Sequence, residues 1–329
     1  MLRIVLGGED APQGAATPNR VRATAPARRW HHGGVARIVL LGPGAVGGLL
    51  AGALTRAGGE AVLVGRPGTV AAIARDGLRL QSPRYGDERH AVRAVERLEL
   101  RGDDVLVVAT KAAGLRDGLD RVGGTPAAVV PLLNGLDHVG VLRERFGDRV
   151  VAATIRVQAH REGPAHVVHR IPLALVTLAA PGCPPLVAAL RAADVDVDDA
   201  GASQTDVLWG KLTRLCAIAL ATAAADRPLG DVREDARAVA REAAAVARAD
   251  GAAVDEAAVL RELDELPDGA TSSLRADVVA GAEHELDAIA GAVQRAARRH
   301  GLDVATVDRL SAAVLRRSSQ FTPVSGTRV

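Results

Sequence analysis

The sequence predicts an α/β chain, with an N-terminal doubly wound sheet of the Rossmann type followed by an all-helical C-terminal domain. Three observations carry this expectation. A compact apolar run, RIVLL at 37–41, leads into the glycines of GPGAVGG at 42–48 and then into helically spaced apolar residues. Further short apolar runs at 60–64, 104–109 and 128–133 alternate with helical patterns such as 70–76, the arrangement of a parallel sheet. After residue 203 the strand patterns stop and helical spacing takes over.

Composition narrows the function. A length of 329 residues suits two domains of roughly 100–200 residues each. A net charge of +2 gives no broad footprint for nucleic acid, and aromatic residues at 2% leave almost nothing for bases to stack on. No run of about 18 uncharged apolar residues occurs, so no membrane span is expected. Two cysteines, Cys183 and Cys216, make no disulfide framework and fit a reduced, cytoplasmic setting. No Cys/His cluster has zinc spacing; His160, His166 and His169 read as surface or core histidines, and no metal is expected.

Taken in order, residues 1–36 are rich in Pro, Gly, Ala and Arg without apolar periodicity, which predicts a disordered extension or an overextended translation start. A nucleotide-binding domain is expected over 37–202. In its first turn Gly42 permits the tight bend, Gly44 lets the backbone approach a pyrophosphate, and Gly47 allows close helix–strand packing. The helix start at Ala45 and Val46 offers free N–H groups to phosphates. The second strand, 60–64, ends without the acid that would bind a ribose 2′-hydroxyl; Arg66 stands there instead and suits a 2′-phosphate, so NADPH is expected over NADH. Strands 104–109 and 128–133 bring Lys111 and Asn134 to the carboxyl ends of the sheet, where ligands of such folds bind. Longer β segments follow at 150–159 and 166–178, joined by 161–164, with a further strand near 195–197. Helices are expected at 203–225, 234–250, 256–265, 273–300 and 304–317, forming a domain over 203–317, and a frayed tail at 318–329.

The ordered set RIVLLGPGAVGG (37–48), ATKA (109–112), LLNGL (132–136), LWGKL (208–212), TSSLRAD (271–277) and HELDAIAG (284–291) resembles the ketopantoate reductase family over roughly residues 37–317. The resemblance implies NADPH-dependent reduction of a 2-keto acid, 2-dehydropantoate or a related substrate, in a cleft between the two domains. It further implies that Lys211 is the catalytic lysine, Glu285 the acid binding the substrate hydroxyl, and Ser273 the contact to the substrate carboxylate. Asn134 and Lys111 would be the strand-end asparagine and lysine. A small-molecule substrate, no nucleic acid or membrane partner, and a possible homodimer follow. Taken singly, Lys211 reads as a helix-surface lysine, Ser273 as a helix N-cap and Glu285 as a solvated acid. The family pattern carries asparagines four and eight residues after the lysine, and here those positions are Leu215 and Ala219. Arg214, at the third, is a candidate carboxylate partner, and a bulkier or less polar 2-keto acid, or an imine, becomes a candidate substrate. The competing readings are a β-hydroxyacid dehydrogenase-like enzyme and a non-catalytic NADP(H)-binding sensor.

Overall fold

Five short strands pair in parallel in the spatial order Arg93–Val95, Ala61–Val64, Ile38–Leu41, Val105–Val108 and Ala128–Pro131. The three central strands are four-residue apolar runs, each fully buried, as expected of a sheet covered on both faces. This computed structural model describes residues 36–321, so the expectations for residues 1–35 and 322–329 fall outside it. Beneath the sheet, Arg37 grips Asp104 with Nε at 2.8 Å and Nη2 at 2.5 Å, a buried bidentate pair tying the first strand to the approach of the fourth. Residue 37 therefore precedes the strand as a clasp.

Helix Ala45–Arg56 follows the glycine turn, Pro67–Asp76 follows the second strand, and His138–Phe146 follows the last. A second sheet covers Ala45–Arg56. Its order is Ala153–Gly163, His166–Leu178, Leu78–Ser82 and Gly86–His90, with Asp196–Asp198 also pairing on His166–Leu178. The long antiparallel hairpin turns at residues 164–165, so the expected 161–164 connection is mostly strand. Short strands at 78–82, 86–90 and 93–95 escape the sequence reading: the last two bury few positions, and the first, which buries Leu78, Leu80 and Ser82, is too short and Arg-interrupted to stand out.

The C-terminal part is helical: Gln204–Ala225, Arg233–Ala249, Glu256–Glu265, Ser273–Val279, Ala292–His300 and Ala305–Phe321. Trp209, Leu212, Cys216, Ala219, Leu220 and many alanines of the facing helices form its core. Small side chains let these helix axes approach closely. Gln204–Ala225 is long and apolar enough to cross a membrane, but 72% of its most apolar window is buried in the fold, which makes it the domain's central helix.

Two expectations are corrected. The single helix over 273–300 is two helices, because Gly281 at φ +61° ends the first. Gly281 N–H donates to Val278 O and Ala282 N–H to Asp277 O, the paired bonds of a Schellman cap. The chain re-enters helix through a wide π-type turn, Asp287–Gly291. The tail expected to fray from 318 is helical to residue 321, where Ser318 back-bonds to Val314 O and meets His284 Nε2 at 2.9 Å.

Candidate active site

The site forms where the carboxyl end of the parallel sheet meets the central helix and the π-type turn. Asn134 lies just past strand Ala128–Pro131, in Leu132-Leu133-Asn134-Gly135. Gly135 has φ +83°, and a Cβ there would lie 2.1 Å from Ala288 O, so only glycine lets this loop touch the π-type turn. Arg295 clips the same contact, donating to Asp137 at 2.6 Å and to Asp287 at 2.7 Å. That approach brings Glu285 to Asn134.

Lys211 arrives from the other side. Its helix is capped by Ser203, whose hydroxyl accepts from Asp206 N–H at 3.1 Å. Trp209, two residues earlier and about 200° around the helix, is buried in the core and donates its indole N–H to Asp250 at 2.9 Å. This anchor turns Lys211 toward the sheet. Lys211 Nζ donates to Asn134 Oδ1 at 2.7 Å, and Asn134 Nδ2 donates to Glu285 Oε2 at 2.8 Å. An ammonium only donates and a carboxylate only accepts, so this chain admits one amide orientation. Burial pushes the Lys211 ammonium down to about 8, opposed by the Glu285 carboxylate and assisted by the Arg214 charge. His138, at the start of the next helix, is pushed down to about 4 by burial and then by the charge of Lys211, so its ring is neutral at pH 7.

The remaining candidates sit around this chain. Lys111 donates to Asp277 Oδ2 at 2.8 Å and to Glu283 O at 2.7 Å, joining the fourth strand's end to the helical part. Ser273 is exposed at the start of helix Ser273–Val279, one turn before Asp277 and on the same face. The N-cap is its neighbour Ser272, which accepts from Arg275 N–H at 3.1 Å, so the capping alternative for Ser273 is corrected. Arg214 turns to the flank and pairs with Glu262 at 3.3 Å. A cavity of about 250 Å³ opens beside the chain, lined by Lys111, Glu283, His284, Glu285, Asp287 and Ala288.

The glycine turn suits a dinucleotide. Gly42 adopts φ +103°, and a Cβ there would press on Thr110 at 2.9 Å. A Cβ on Gly47 would lie 2.1 Å from Gly42 O, whereas Gly44 has nothing nearer than 3.9 Å, leaving room above it. Gly44 is the N-cap of the helix, Ala45 and Val46 begin it, and no acid occupies its first turn. Thr110 Oγ1 is buried against this turn without a partner among the described residues. Arg66 caps helix Pro67–Asp76 on the rim, 73% exposed, and faces Asp117 at 3.5 Å. Asp117, Asp277 and Glu262 were not singled out from sequence, because each meets its partner across a separation that leaves no local pattern, and His138 was not because nothing local marks its burial beside Lys211.

The chain is similar to known proteins across this whole architecture. The family model for ketopantoate reductase PanE/ApbA matches residues 38–180, and its C-terminal counterpart matches 205–317. The 2-dehydropantoate 2-reductase of Mycobacterium tuberculosis is 30% identical over 280 residues, covering 80% of this chain and 92% of that one. That of Halobacterium salinarum is 30% identical over 295 residues, covering 84% and 96%. Among solved structures, a PanE/ApbA family ketopantoate reductase from Ralstonia eutropha superposes with a TM-score of 0.75 at 29% identity, covering 86% of this chain and 99% of that one.

Proposed function

The chain belongs to the ketopantoate reductase family of oxidoreductases, and from that premise we propose that it reduces a 2-keto acid with NADPH, using Lys211 as the proton donor. The observation that carries this reading is the continuous chain Lys211–Asn134–Glu285, built from three distant segments and closed by two short hydrogen bonds.

A nicotinamide dinucleotide, when bound, supplies the hydride that adds to the keto carbon. Gly42, Gly44 and Gly47 with the N–H groups at Ala45 and Val46 would hold its pyrophosphate, Thr110 and Lys111 would face it from the next strand, and Arg66 would take the 2′-phosphate. As hydride reaches carbon, negative charge grows on the keto oxygen. Lys211 stabilises that charge and delivers a proton from Nζ, so the product is a neutral hydroxyl and the lysine is left as an amine. Asn134 fixes the lysine's reach without quenching its charge, since an amide oxygen carries no formal charge. Glu285 accepts from the substrate's or product's hydroxyl, and Ser273, on the face that carries Asp277, donates to the substrate carboxylate. Residues 37–202 then act as the nucleotide-binding domain and 203–317 as the catalytic one.

The test is turnover by Lys211→Ala. Its kcat should fall by roughly 10²–10⁴-fold, the usual range for losing acid–base help, while NADPH binding by fluorescence titration persists. Unchanged turnover would mean that the proton comes from elsewhere.

A further inference from the structure

Beside the lysine chain lies a cationic pair that the mechanism leaves unused. Arg214 follows Lys211 by three residues, about 60° around the helix, and Arg156 approaches it from strand Ala153–Gly163. Burial, and then the charge of Arg156, holds the Arg214 guanidinium below its ordinary range, against the pull of Glu262. Glu262, from helix Glu256–Glu265, spans the two: one oxygen lies 3.3 Å from Arg214 Nε, the other 4.0 Å from Arg156 Nη1.

These are loose contacts. Neither guanidinium makes a hydrogen bond to any described residue, and Arg156 Nε is buried without a partner. By contrast, the buried Arg37 spends its fork on Asp104 in two short bonds. A guanidinium presents five donors in a planar fork matched to a carboxylate, and buried donors left unpaired are costly. Lys211, Arg214 and Arg156 against Glu285 and Glu262 also leave one positive charge in excess. The gap between the two arginines is already wide enough for a carboxylate, and the one now spanning it is half-exposed and able to swing away.

We propose that Arg156 and Arg214 form a second anion subsite, and that the substrate is a 2-keto acid carrying another carboxylate at the far end of its chain. The proposal rests on the reading that Lys211 takes the keto oxygen. A C1 carboxylate is bonded to the keto carbon and must sit beside Lys211 Nζ, which points at Asn134, just past the carboxyl end of the parallel sheet. The arginine pair instead faces the second sheet and helix Glu256–Glu265, a direction suited to the distal end. Ile218, seven residues after Lys211 and about 20° from it on the side of Arg214, packs against the helical core but is only partly buried, and suits the intervening methylenes.

A length-matched pair, 2-oxoglutarate and 2-oxopentanoate, tests this with the full chain and NADPH. The dicarboxylate should have at least about tenfold higher kcat/KM, because a site built for a charged group rejects the analogue lacking it. Arg156→Gln should bring that ratio to within about threefold of one, and Glu262→Gln, by removing the competing carboxylate, should lower KM for 2-oxoglutarate. A wild-type ratio near one, or equal losses on both acids in Arg156→Gln, overturns the subsite and leaves the reductase reading standing. Calorimetric binding of glutarate against pentanoate separates the reverse case. Glutarate preferred in an Arg156-dependent manner, with neither keto acid reduced, keeps the subsite and overturns the reductase reading. If Arg156→Gln does not fold, Glu262→Gln decides: no gain in glutarate affinity overturns the proposal.

Discussion

With Lys211 as the proposed proton donor, its environment sets a pH dependence with a definite sign. An ammonium lowered to about 8 by burial is still mostly protonated at neutral pH, yet parts with its proton more readily than an ordinary lysine. Reduction needs the protonated form, so kcat/KM should be flat below about pH 8 and fall about tenfold per unit above it. Arg214 lowers this group and Glu285 raises it, so Arg214→Gln should move the inflection to higher pH and Glu285→Gln to lower pH. A profile indifferent to both changes would assign the inflection to another group. The proposed preference for NADPH rests on a second residue. Arg66 on the rim is held by an exposed pair of little strength, so it is free to take a phosphate. Arg66→Ala should weaken NADPH by roughly tenfold, the value of a charge-assisted hydrogen bond, and leave NADH nearly unchanged. Asp117→Ala should act in the opposite direction, because the acid beside Arg66 repels a 2′-phosphate. Equal losses for both cofactors in Arg66→Ala would remove Arg66 from the phosphate site.

At the scale of the element, helix Gln204–Ala225 serves as core and also carries Lys211, the proposed proton donor. Leu215 and Ala219 stand where the family pattern has asparagines, but their surroundings differ: Leu215 is partly buried, while Ala219 is fully buried among the apolar residues of the helical core. Ala219→Asn should therefore cost roughly 1–3 kcal/mol in urea unfolding, the penalty of burying an amide without partners. Leu215→Asn should cost less and act mainly on KM. A stable Ala219→Asn would show that position 219 opens to the cleft. The same helix shows what sequence reveals and what it hides. Its extent, its Ser203 cap and the strand–glycine–helix unit at 37–56 are written in neighbouring residues, so they were legible. The Lys211–Asn134–Glu285 chain joins segments 77 and 151 residues apart, and no local spacing encodes it; the strand-end position marks Asn134, while only the family pattern marks Lys211 and Glu285. The break between Val279 and Asp287 was hidden because apolar spacing continues through 273–300, and the one local sign was Gly281. Arg156 and Glu262 carry no local signal, and only the fold places them beside Arg214.

At the scale of the molecule, the two halves meet around a cavity of about 250 Å³, below the roughly 300–1,000 Å³ usual for ligand sites. Lys111 closes one side of it by reaching from the parallel sheet to Asp277 and to the Glu283 carbonyl. In the proposed cofactor site a lysine engaged in this way must leave Asp277 before it can face the nucleotide, so the ion pair would compete with binding. Both partners are partly exposed, which limits the pair to about 1 kcal/mol or less, and so to about fivefold in affinity. Asp277→Asn should therefore tighten NADPH by about two- to fivefold, with a smaller gain at high salt, where the pair is already screened. Lys111→Ala should weaken it, because the same substitution that opens the cleft also removes the cofactor's own contact. Fluorescence titration of the two variants at low and high ionic strength separates these effects. Weaker binding in Asp277→Asn would show that the contact supports the binding-competent arrangement rather than opposing it.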